Sequence, residues 1–276
     1  MSTLPFISIV SINWNSIRDT LELLASVYKS NYPKSKYEVI IVDNGSTDGS
    51  VKKIKSAYLK TRIIALKQNI GVSARNKGFR EAQGEIIVTL DSDATIGSNT
   101  LSSIAKKFYN DPSIGILGVK ILNKKTLTSE FSPMHVNFFT GMVSTLNPDT
   151  LSTNATFLPF ICSAIRKRVL KKIGFLDKAF FFYGEDFDFC MRIKKNGFRV
   201  VYFPDISVFH GKNKAISALP YSIVYHHYYK GLFRNIYKYG NLIQKLSVTF
   251  FQLILIPFYR LLFRRENTFG MRWWGF

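Results

Sequence analysis

The sequence predicts an α/β protein in which helices cover both faces of a mostly parallel sheet. Three segments, 7–13, 38–43 and 85–91, are nearly continuous apolar runs, which are typical of strands buried on both faces. Segments with helical spacing separate these runs along the chain. Because crossovers between parallel strands are right-handed, the carboxyl ends of the strands should meet at one edge, where open α/β sheets bind ligands.

Strands and helices alternate through the first half of the sequence. A helix with apolar residues at Leu21, Leu24 and Tyr28 follows the first strand. A turn rich in Gly and Ser follows the strand 38–43, and a basic helix comes next. The remaining predicted elements of this half are a short strand at 62–66, a helix at 72–82 and the strand 85–91.

The second half of the sequence contains one irregular segment between recognisable elements. Residues 123–159 are rich in Ser, Thr and Asn and lack periodicity, which is typical of a substrate loop, with disorder as the alternative. The predicted elements around it are a helix at 98–108, strands at 115–122, 160–165 and 199–203, a short helix ending at 173 and a helix at 185–196. This organisation predicts a main domain over 1–215 and a helical extension over 216–276.

Length and composition are those of a globular protein with a substantial core. The chain has 276 residues, of which 46% are apolar and 15% aromatic. Its two cysteines, Cys162 and Cys190, lie in apolar stretches without a flanking base, so they predict reduced, buried thiols rather than a disulfide framework or a nucleophile. The start of the chain lacks the basic region of a secretory signal peptide, and we expect the main domain to stay in the cytoplasm.

The charge is strongly positive and concentrated toward the carboxyl end. Thirty-eight basic and 18 acidic residues give a formal net charge of +20. After Asp205, Glu266 is the single acidic residue against ten Lys or Arg, a balance of +9. A basic segment favours an anionic surface, and nucleic acid and anionic lipid both fit this description.

The basic carboxyl-terminal segment also has an amphipathic pattern. Tyr alternates with Lys and Arg over 220–240, and on a helical wheel the polar residues of 245–265 fall in one sector. This pattern predicts a helix lying in the interface of an anionic membrane. The alternatives are packing on the main domain, packing on a second subunit in a homo-oligomer, and insertion as a tilted helix or hairpin. The polar sector and its nearby aromatic anchors are Lys245, Thr249, Gln252, Arg260, Arg264, Trp273 and Trp274.

Two acidic pairs and one histidine are the candidate chemical groups, and the first pair ends the strand 85–91. Asp91 and Asp93 suggest a divalent cation such as Mg²⁺ or Mn²⁺, with turn formation as the alternative. Asp93 is better placed for direct ligation, and Asp91 for a hydrogen bond to a ribose. His210 follows a predicted strand and precedes Gly211, so we expect its ring to be exposed on a loop, as a metal ligand or in a local hydrogen bond.

The second acidic pair lies at the start of the helix 185–196. Glu185, Asp186 and Asp188 fall in the first turn, where the helix dipole favours carboxylates. Asp188 and Arg192 are four positions apart, so we expect an ion pair between them. Asp186 is then free to face a cleft as a candidate base, and its position near a helix start should lower its pKa.

Two loops have the composition of nucleotide-binding loops. Asp43 ends a strand ahead of the Gly- and Ser-rich turn, where it can accept a hydrogen bond from a base or a ribose, with a turn that serves only its own backbone as the alternative. Arg75 lies near the start of a helix, a natural contact for an anion or a base, with an exposed amphipathic helix as the alternative. GxGxxG follows none of the predicted strands, which argues against NAD or FAD.

In this order and spacing, six fragments resemble glycosyltransferase family 2, the inverting GT-A fold enzymes that use nucleotide-sugar donors, and particularly its rhamnosyltransferase-like members. The fragments are SIVSINWN, EVIIVDNGSTDGS, QNIGVSARNKG, EIIVTLDSD, VLKKIGFLDKAFFFYGEDFDFCMR and GFRVVYFPDISVFH, and they cover roughly residues 6–211. The resemblance implies that Asn13, Asp43 and Arg75 bind the nucleotide. It also implies that Asp91 and Asp93 form the DxD motif on ribose and metal.

The same resemblance implies a metal-dependent single displacement. His210 looks like the histidine that supplies a further ligand to Mn²⁺ or Mg²⁺, and Asp186 is the implied catalytic base. Glu185 would position the acceptor hydroxyl, while Arg192 would support the helix or contact the diphosphate. The implied donor is a UDP- or dTDP-linked sugar, and the implied acceptor is a hydroxyl of a glycan or lipid-linked glycan.

The leading hypothesis is therefore a glycosyltransferase that is peripheral or monotopic at the cytoplasmic face of the cell membrane, builds a cell-envelope polysaccharide and has no nucleic-acid partner. Its acceptor is the least transferable feature, because the chain departs from the common family pattern at Phe160, Ile161 and Lys178. A nucleotidyltransferase of sugar phosphates is one alternative, although residues 11–16 lack the expected Gly and Lys. A basic nucleic-acid-binding protein is the other.

Overall fold

The protein folds into a large mixed sheet with helices on both faces. The structure, a computed structural model, describes residues 4–211 and 220–255. Its strands are β1 (Ile7–Asn13), β2 (Tyr37–Asp43), β3 (Arg62–Ala65), β4 (Ile86–Asp91), β5 (Ala94–Ile96), β6 (Ile114–Asn123), β7 (Ser129–Phe131), β8 (Met134–Val136), β9 (Val143–Thr145), β10 (Cys162–Arg166) and β11 (Arg199–His210). Its α-helices are α1 (Ile17–Tyr28), α2 (Ser50–Ala57), α3 (Arg75–Glu81), α4 (Thr100–Asn110), α5 (Lys167–Ile173), α6 (Glu185–Lys195), α7 (Tyr221–Tyr239) and α8 (Leu242–Phe250).

The main sheet has the strand order β3-β2-β1-β4-β10-β6-β11-β5, with β7 paired to β6. The pairings from β3 to β4 are parallel, and so is the pairing of β6 with β11. β10 runs antiparallel between β4 and β6, and β5 runs antiparallel to β11. The predicted α/β class is confirmed, and the antiparallel strands are confined to the half of the sheet beyond β4.

Residues along one strand enter two apolar cores, one on each face of the sheet. Ile9 of β1 belongs to the same buried cluster as Leu24 of α1 and Ile54 of α2. Val10, the next residue, belongs to a second cluster with Phe79 of α3. Because both faces are covered, the central strands need apolar residues at consecutive positions, which explains their continuous apolar runs. The second cluster also includes Val169 of α5, Phe189 of α6 and Ile236 of α7.

The irregular segment between β6 and β10 forms short strands, and the disorder alternative is wrong. β7, β8 and β9 contain three residues each, and β8 pairs with β9 in a separate two-stranded sheet. Met134 and Val136 are buried in the second cluster and anchor the segment to the sheet. Strands this short leave no recognisable period in a sequence, so the pattern did not predict them.

Strand β11 is longer than the predicted strand at 199–203. It continues to His210, with a register shift against β6 between Phe203 and Ser207. Pro204 and Asp205 lie in this irregularity and interrupt the apolar pattern, so the predicted strand ended too early. The extension of β11 carries His210 to the edge beside β5.

Helix α7 packs onto the main domain. It buries Leu232, Asn235 and Ile236, and it contacts α6. Helix α7, which belongs to the predicted extension over 216–276, therefore shares an apolar core with the main domain.

Helix α8 packs through one side and leaves an apolar side open. Its buried residue is Val248, which lies next to Gly141. Ile243 is 70% exposed and Leu246 is 64% exposed. The remaining residues of the predicted interfacial helix, including Arg260, Arg264, Trp273 and Trp274, lie outside the described residues. Among the helices that the structure describes, none has both the length and the apolar character needed to cross a bilayer.

Candidate active site

Strand pairing brings Asp93 and His210 together at the edge of the sheet. β4 ends at Asp91, and the chain turns through Asp93 into β5. β5 pairs antiparallel with the end of β11, with His210 opposite Ala94. The backbone amide of Gly211 donates to the Asp93 carbonyl at 2.9 Å, which closes this corner. Backbone pairing between β5 and β11 therefore brings Asp93 and His210 together, although they are far apart in the sequence.

Asp91, Asp93 and His210 form a cluster with the geometry of a metal site. One ligand atom from each lies within 4.8 Å of the others. Asp93 Oδ2 lies 3.4 Å from His210 Nε2 and is buried without a hydrogen-bond partner among the described residues. Two carboxylates and an imidazole are a donor set that suits Mn²⁺ and Mg²⁺, and an orphaned buried carboxylate oxygen is the atom a cation would satisfy. The predicted residues fit the predicted ion.

Glu130 of β7 contacts His210 and is a candidate site residue that the sequence analysis missed. His210 Nδ1 lies 3.0 Å from Glu130 Oε2. The Phe131 ring packs edge-on against the imidazole, with the two ring centroids 5.6 Å apart. The ring is therefore part of a strand end and held on two sides, so the prediction of an exposed loop histidine is wrong. One signal was available, because Glu130 is the single acidic residue between Asp111 and Asp149.

The carboxylates around His210 also set its charge. Burial alone would lower the pKa of His210, but the carboxylates of Asp93, Glu130 and Asp91 outweigh it and raise that pKa to about 9. A protonated imidazole compensates these carboxylates, which is the role a bound cation would take over.

Arg75 links the Asp91 carboxylate to the start of α6. Its Nη2 atom donates to Asp91 Oδ1, and its Nη1 atom lies 3.9 Å from Glu185 Oε1. The side chain is buried, and its Nε atom has no hydrogen-bond partner among the described residues. Burial raises the pKa of Asp91, and Arg75 opposes this shift. The predicted contact of Arg75 with a nucleotide base stays a prediction, since the contacts observed are to carboxylates.

Asp43 and Asn13 face each other at the ends of neighbouring parallel strands. They are in register, and Asn13 Nδ2 donates to Asp43 Oδ2 at 2.7 Å. The second Asp43 oxygen accepts from the Ser46 amide at 3.0 Å, and Asn13 Oδ1 accepts from the Thr20 hydroxyl at 2.7 Å. These bonds hold the turn after β2, and the nucleotide roles of both residues stay predictions.

The first residues of α6 bring the buried Glu185 carboxyl and the half-buried Asp186 carboxyl close to Arg75. Gly184 is the N-cap, with φ at +92°, and the helix begins at Glu185. Burial raises the pKa of Asp186 well above its usual value, and the neighbouring Glu185 carboxyl raises it further. The prediction that the helix start lowers this pKa is wrong, because burial next to a like charge outweighs the helix dipole. Glu185 is also buried, and its Oε2 atom lacks a hydrogen-bond partner among the described residues.

Asp188 and Arg192 form the predicted ion pair. Arg192 Nε donates to Asp188 Oδ2 at 2.8 Å, and Arg192 Nη1 donates to the Ile173 carbonyl at 2.8 Å. These contacts support α6 and its junction with α5. The alternative role for Arg192 at the diphosphate stays a prediction.

The chain also resembles known proteins. A family model described as glycosyl transferase family 2 matches residues 8–174. A poly(ribitol-phosphate) beta-glucosyltransferase of Bacillus spizizenii is 29% identical over 233 residues, 77% of this chain and 36% of that protein. A probable glycosyltransferase, YdaM, of Bacillus subtilis is 28% identical over 218 residues, 74% of this chain and 50% of that protein. This chain spans half or less of the length of both relatives.

Solved structures share the fold. The mannosyltransferase PcManGT from Pyrobaculum calidifontis, in complex with GDP-Man and Mn²⁺, superposes with a TM-score of 0.65 at 19% identity, over 90% of this chain and 70% of that one. TarS 1–349 of S. aureus, in complex with UDP-GlcNAc, gives a TM-score of 0.61 at 22% identity, over 97% and 77%. Both are GT-A glycosyltransferases, so the predicted fold is confirmed. The model match covers more than half of the chain, and the chain therefore belongs to glycosyltransferase family 2.

Proposed function

We propose that this protein transfers a sugar from a nucleoside-diphosphate sugar to an acceptor hydroxyl, with inversion at the anomeric carbon. The observation that carries the proposal is the convergence of two groups at one sheet edge. Asp91, Asp93 and His210 each offer a ligand atom within 4.8 Å of the others. The carboxyls at the start of α6 adjoin that cluster, because Arg75 contacts both Asp91 and Glu185.

Asp93, His210 and Asp91 would hold Mn²⁺ or Mg²⁺ in this proposal. When bound, the ion neutralises the donor's diphosphate and stabilises the charge of the leaving nucleotide. Glu130 keeps the Nε2 atom of His210 directed at Asp93. Mn²⁺ in the PcManGT structure, where it accompanies GDP-Man, supports the choice of cation.

Asp186 is the proposed general base. Its carboxylate takes the proton of the acceptor hydroxyl while the acceptor oxygen bonds to the anomeric carbon and the bond to the diphosphate breaks. The raised pKa makes Asp186 a stronger base than an ordinary carboxylate, provided that it is ionised at the working pH. Glu185, on the same helical turn, is the residue proposed to orient the acceptor hydroxyl.

The proposed donor carries UDP or dTDP, and UDP is favoured by the UDP-GlcNAc complex of TarS. Asp43 and Asn13, at the ends of β2 and β1, are the proposed contacts to the nucleoside, with Arg75. A rhamnosyl donor, as in the rhamnosyltransferase-like members, remains part of the proposal on the sequence resemblance alone. The donor sugar is therefore a matter for direct assay.

The proposed acceptor is a glycan or lipid-linked glycan at the cytoplasmic face of an anionic membrane, with the protein peripheral or monotopic there. The open apolar side of α8 supports this location, because Leu242, Ile243 and Leu246 are exposed and Lys245 lies among them. The balance of +9 after Asp205 adds electrostatic attraction to anionic lipid. The acceptor's place in cell-envelope polysaccharide synthesis belongs to the same proposal.

Thermal unfolding with UDP, dTDP and GDP, each with and without Mn²⁺, tests the donor proposal. A nucleotide at about a hundred times its dissociation constant adds about 2.7 kcal/mol to the free energy of unfolding, which moves Tm measurably. We expect UDP or dTDP to raise Tm only when Mn²⁺ is present. Equal shifts without Mn²⁺, or none with any of the three nucleotides, would contradict the proposal.

A further inference from the structure

Helix α7 touches the turn that leads into α6. A Cβ atom on Gly231 would lie 2.6 Å from the Tyr183 carbonyl oxygen, and one on Gly184 would lie 2.9 Å from the Gly231 Cα atom. Contacts this close are possible only without side chains, so glycine at both positions permits the two backbones to meet. The turn is also strained, because Tyr183 has φ of +65°. A non-glycine residue persists in that conformation only when its surroundings hold it there.

A buried amide side chain fixes the same turn. Asn235 of α7 is fully buried, and its Nδ2 atom donates to the Gly184 carbonyl at 2.8 Å. The same carbonyl accepts the first backbone hydrogen bond of α6, from the Asp188 amide at 3.0 Å. Asn235 therefore binds the carbonyl from which α6 begins.

The end of α7 binds one turn further into α6. Lys238 Nζ and the Tyr239 hydroxyl both donate to Asp188 Oδ1, at 2.6 Å and 2.7 Å. The other Asp188 oxygen accepts from Arg192. Asp188 is fully buried, so these three donors surround a carboxylate that water does not reach.

Asp186 lies between the two anchored points, Gly184 and Asp188. Its Oδ1 atom accepts a hydrogen bond from the amide of its own neighbour, Phe187, at 2.8 Å. The direction of this carboxyl therefore depends on the backbone that carries it. Displacement of a catalytic group by about 1 Å is enough to lower a rate by about a hundredfold.

We infer that α7 positions the catalytic base: Gly231, Asn235 and Lys238 hold the start of α6 so that the Asp186 carboxyl points at the acceptor. The inference rests on the proposed function and adds three positioning residues to it. They act through Asp186, and among the described residues they show no hydrogen bond or ion pair with the cation site or the proposed nucleoside contacts. A helix of the carboxyl-terminal extension is thus part of the catalytic machinery.

Two substitutions in the 276-residue chain test this role. Asn235→Leu removes the donor to Gly184, and Lys238→Met removes the ammonium while keeping the apolar stem. Each should lower kcat by about 10- to 100-fold, while the donor KM and the dissociation constant for UDP with Mn²⁺ stay within about twofold. Lys238→Arg keeps a donor to Asp188 and should restore most of kcat. Lys230→Met changes an exposed lysine on the same helix and is the matched control.

Hydrogen exchange separates this inference from the proposed function, because it needs no substrate. The amides of residues 185–189 should exchange on the order of tenfold faster in Asn235→Leu and Lys238→Met than in the wild type and Lys230→Met. If the wild type transfers no sugar, the proposed function fails, and unchanged exchange would overturn the positioning role separately. If the wild type is active and both variants keep its kcat, α7 does not position the base, although the proposed function stands.

Discussion

The Nδ1 atom of His210 lies 3.0 Å from Glu130 Oε2, and this contact directs the opposite ring nitrogen toward Asp93. Carboxylates that bind the far nitrogen of a metal-ligating histidine typically contribute 10- to 100-fold to metal affinity. Glu130→Gln should therefore weaken Mn²⁺ binding by that factor, measured by isothermal titration of the protein with Mn²⁺ alone. Glu81→Gln, at an exposed ion pair with Arg62, is the control. Unchanged affinity in Glu130→Gln would show that Glu130 does not orient the ligand.

The assignment of Asp186 as the base predicts a selective loss of turnover. Asp186→Asn should lower kcat by about 10² to 10⁴ and leave donor binding nearly intact, since general base catalysis contributes that much. The control is Asp205→Asn, which removes an exposed carboxylate. Asp188→Asn breaks the contact with Lys238, so it should lower kcat by a smaller factor of about 10 to 100. A folded Asp188→Asn that is inactive, beside an active Asp186→Asn, would mean that the base is misassigned.

The pH dependence of kcat follows from the same residue. Burial and the Glu185 carboxyl raise the pKa of Asp186, and Arg75 opposes them. Because the base must be ionised, kcat should rise with pH through this raised pKa. Glu185→Gln removes the like charge, so it should lower the pKa of Asp186 and move the acid limb of the kcat profile to lower pH. An acid limb that moves to higher pH in this variant would contradict the electrostatic account.

The buried Asp188 carboxylate predicts a large effect on stability. Asp188→Asn leaves Arg192 and Lys238 without their partner and should cost about 3 kcal/mol in the free energy of unfolding by urea, because breaking a buried ion pair is expensive. Asp205→Asn, which breaks an exposed pair with Lys107, should cost about 1 kcal/mol or less. Similar costs for the two variants would show that burial does not strengthen the Asp188 network.

The contacts of Asp188 also determine the direction in which pH changes the free energy of unfolding. Burial alone would raise the pKa of Asp188, but its bonds to Lys238, Tyr239 and Arg192 outweigh burial and lower that pKa below its ordinary value. A lowered pKa contributes stability above the unfolded-state value of about 3.9, and this contribution is lost as the pH falls through the folded-state pKa. The difference between wild type and Asp188→Asn should therefore shrink on acidification below about pH 4.

The open side of α8 predicts binding to anionic membranes. The double variant Ile243→Glu with Leu246→Glu should lower partitioning onto phosphatidylglycerol-containing vesicles by at least about tenfold in a sedimentation assay, because each buried aliphatic side chain contributes about 1.5–3 kcal/mol. Leu59→Glu, at a residue that is 89% exposed on the main domain, is the control. A wild type that fails to sediment with these vesicles, or a double variant that binds as well, would remove the membrane proposal.

Much of the fold was predictable because local patterns of apolar and polar residues mark its central strands. The buried strands β1, β2 and β4 are largely apolar and six or seven residues long, and each ends at a polar residue of the candidate site. Family membership favours the proposed glycosyl transfer over the nucleotidyltransferase and nucleic-acid-binding alternatives. The rest depends on long-range pairing that no local pattern encodes.

Three features of the site could be identified only from the folded structure. Glu130 lies on a strand of three residues, too short to leave a period, so its contact with His210 appears only in the structure. The raised pKa of Asp186 reflects burial, which its place at a helix start did not reveal. The contacts of Asn235 and Lys238 with α6 join segments about fifty positions apart, and the sequence gives no sign of them.

We propose that Asp91, Asp93 and His210 hold a cation on which donor binding depends and that Asp186 acts separately as the base. Isothermal titration of UDP into the wild type, Asp93→Ala and Asp186→Asn, each with and without Mn²⁺, separates these two roles. We expect Mn²⁺-dependent binding to the wild type, similar binding to Asp186→Asn, and a loss of binding of at least about tenfold in Asp93→Ala. UDP that binds the wild type equally well without Mn²⁺, or binds Asp93→Ala as tightly as the wild type, would contradict this proposal.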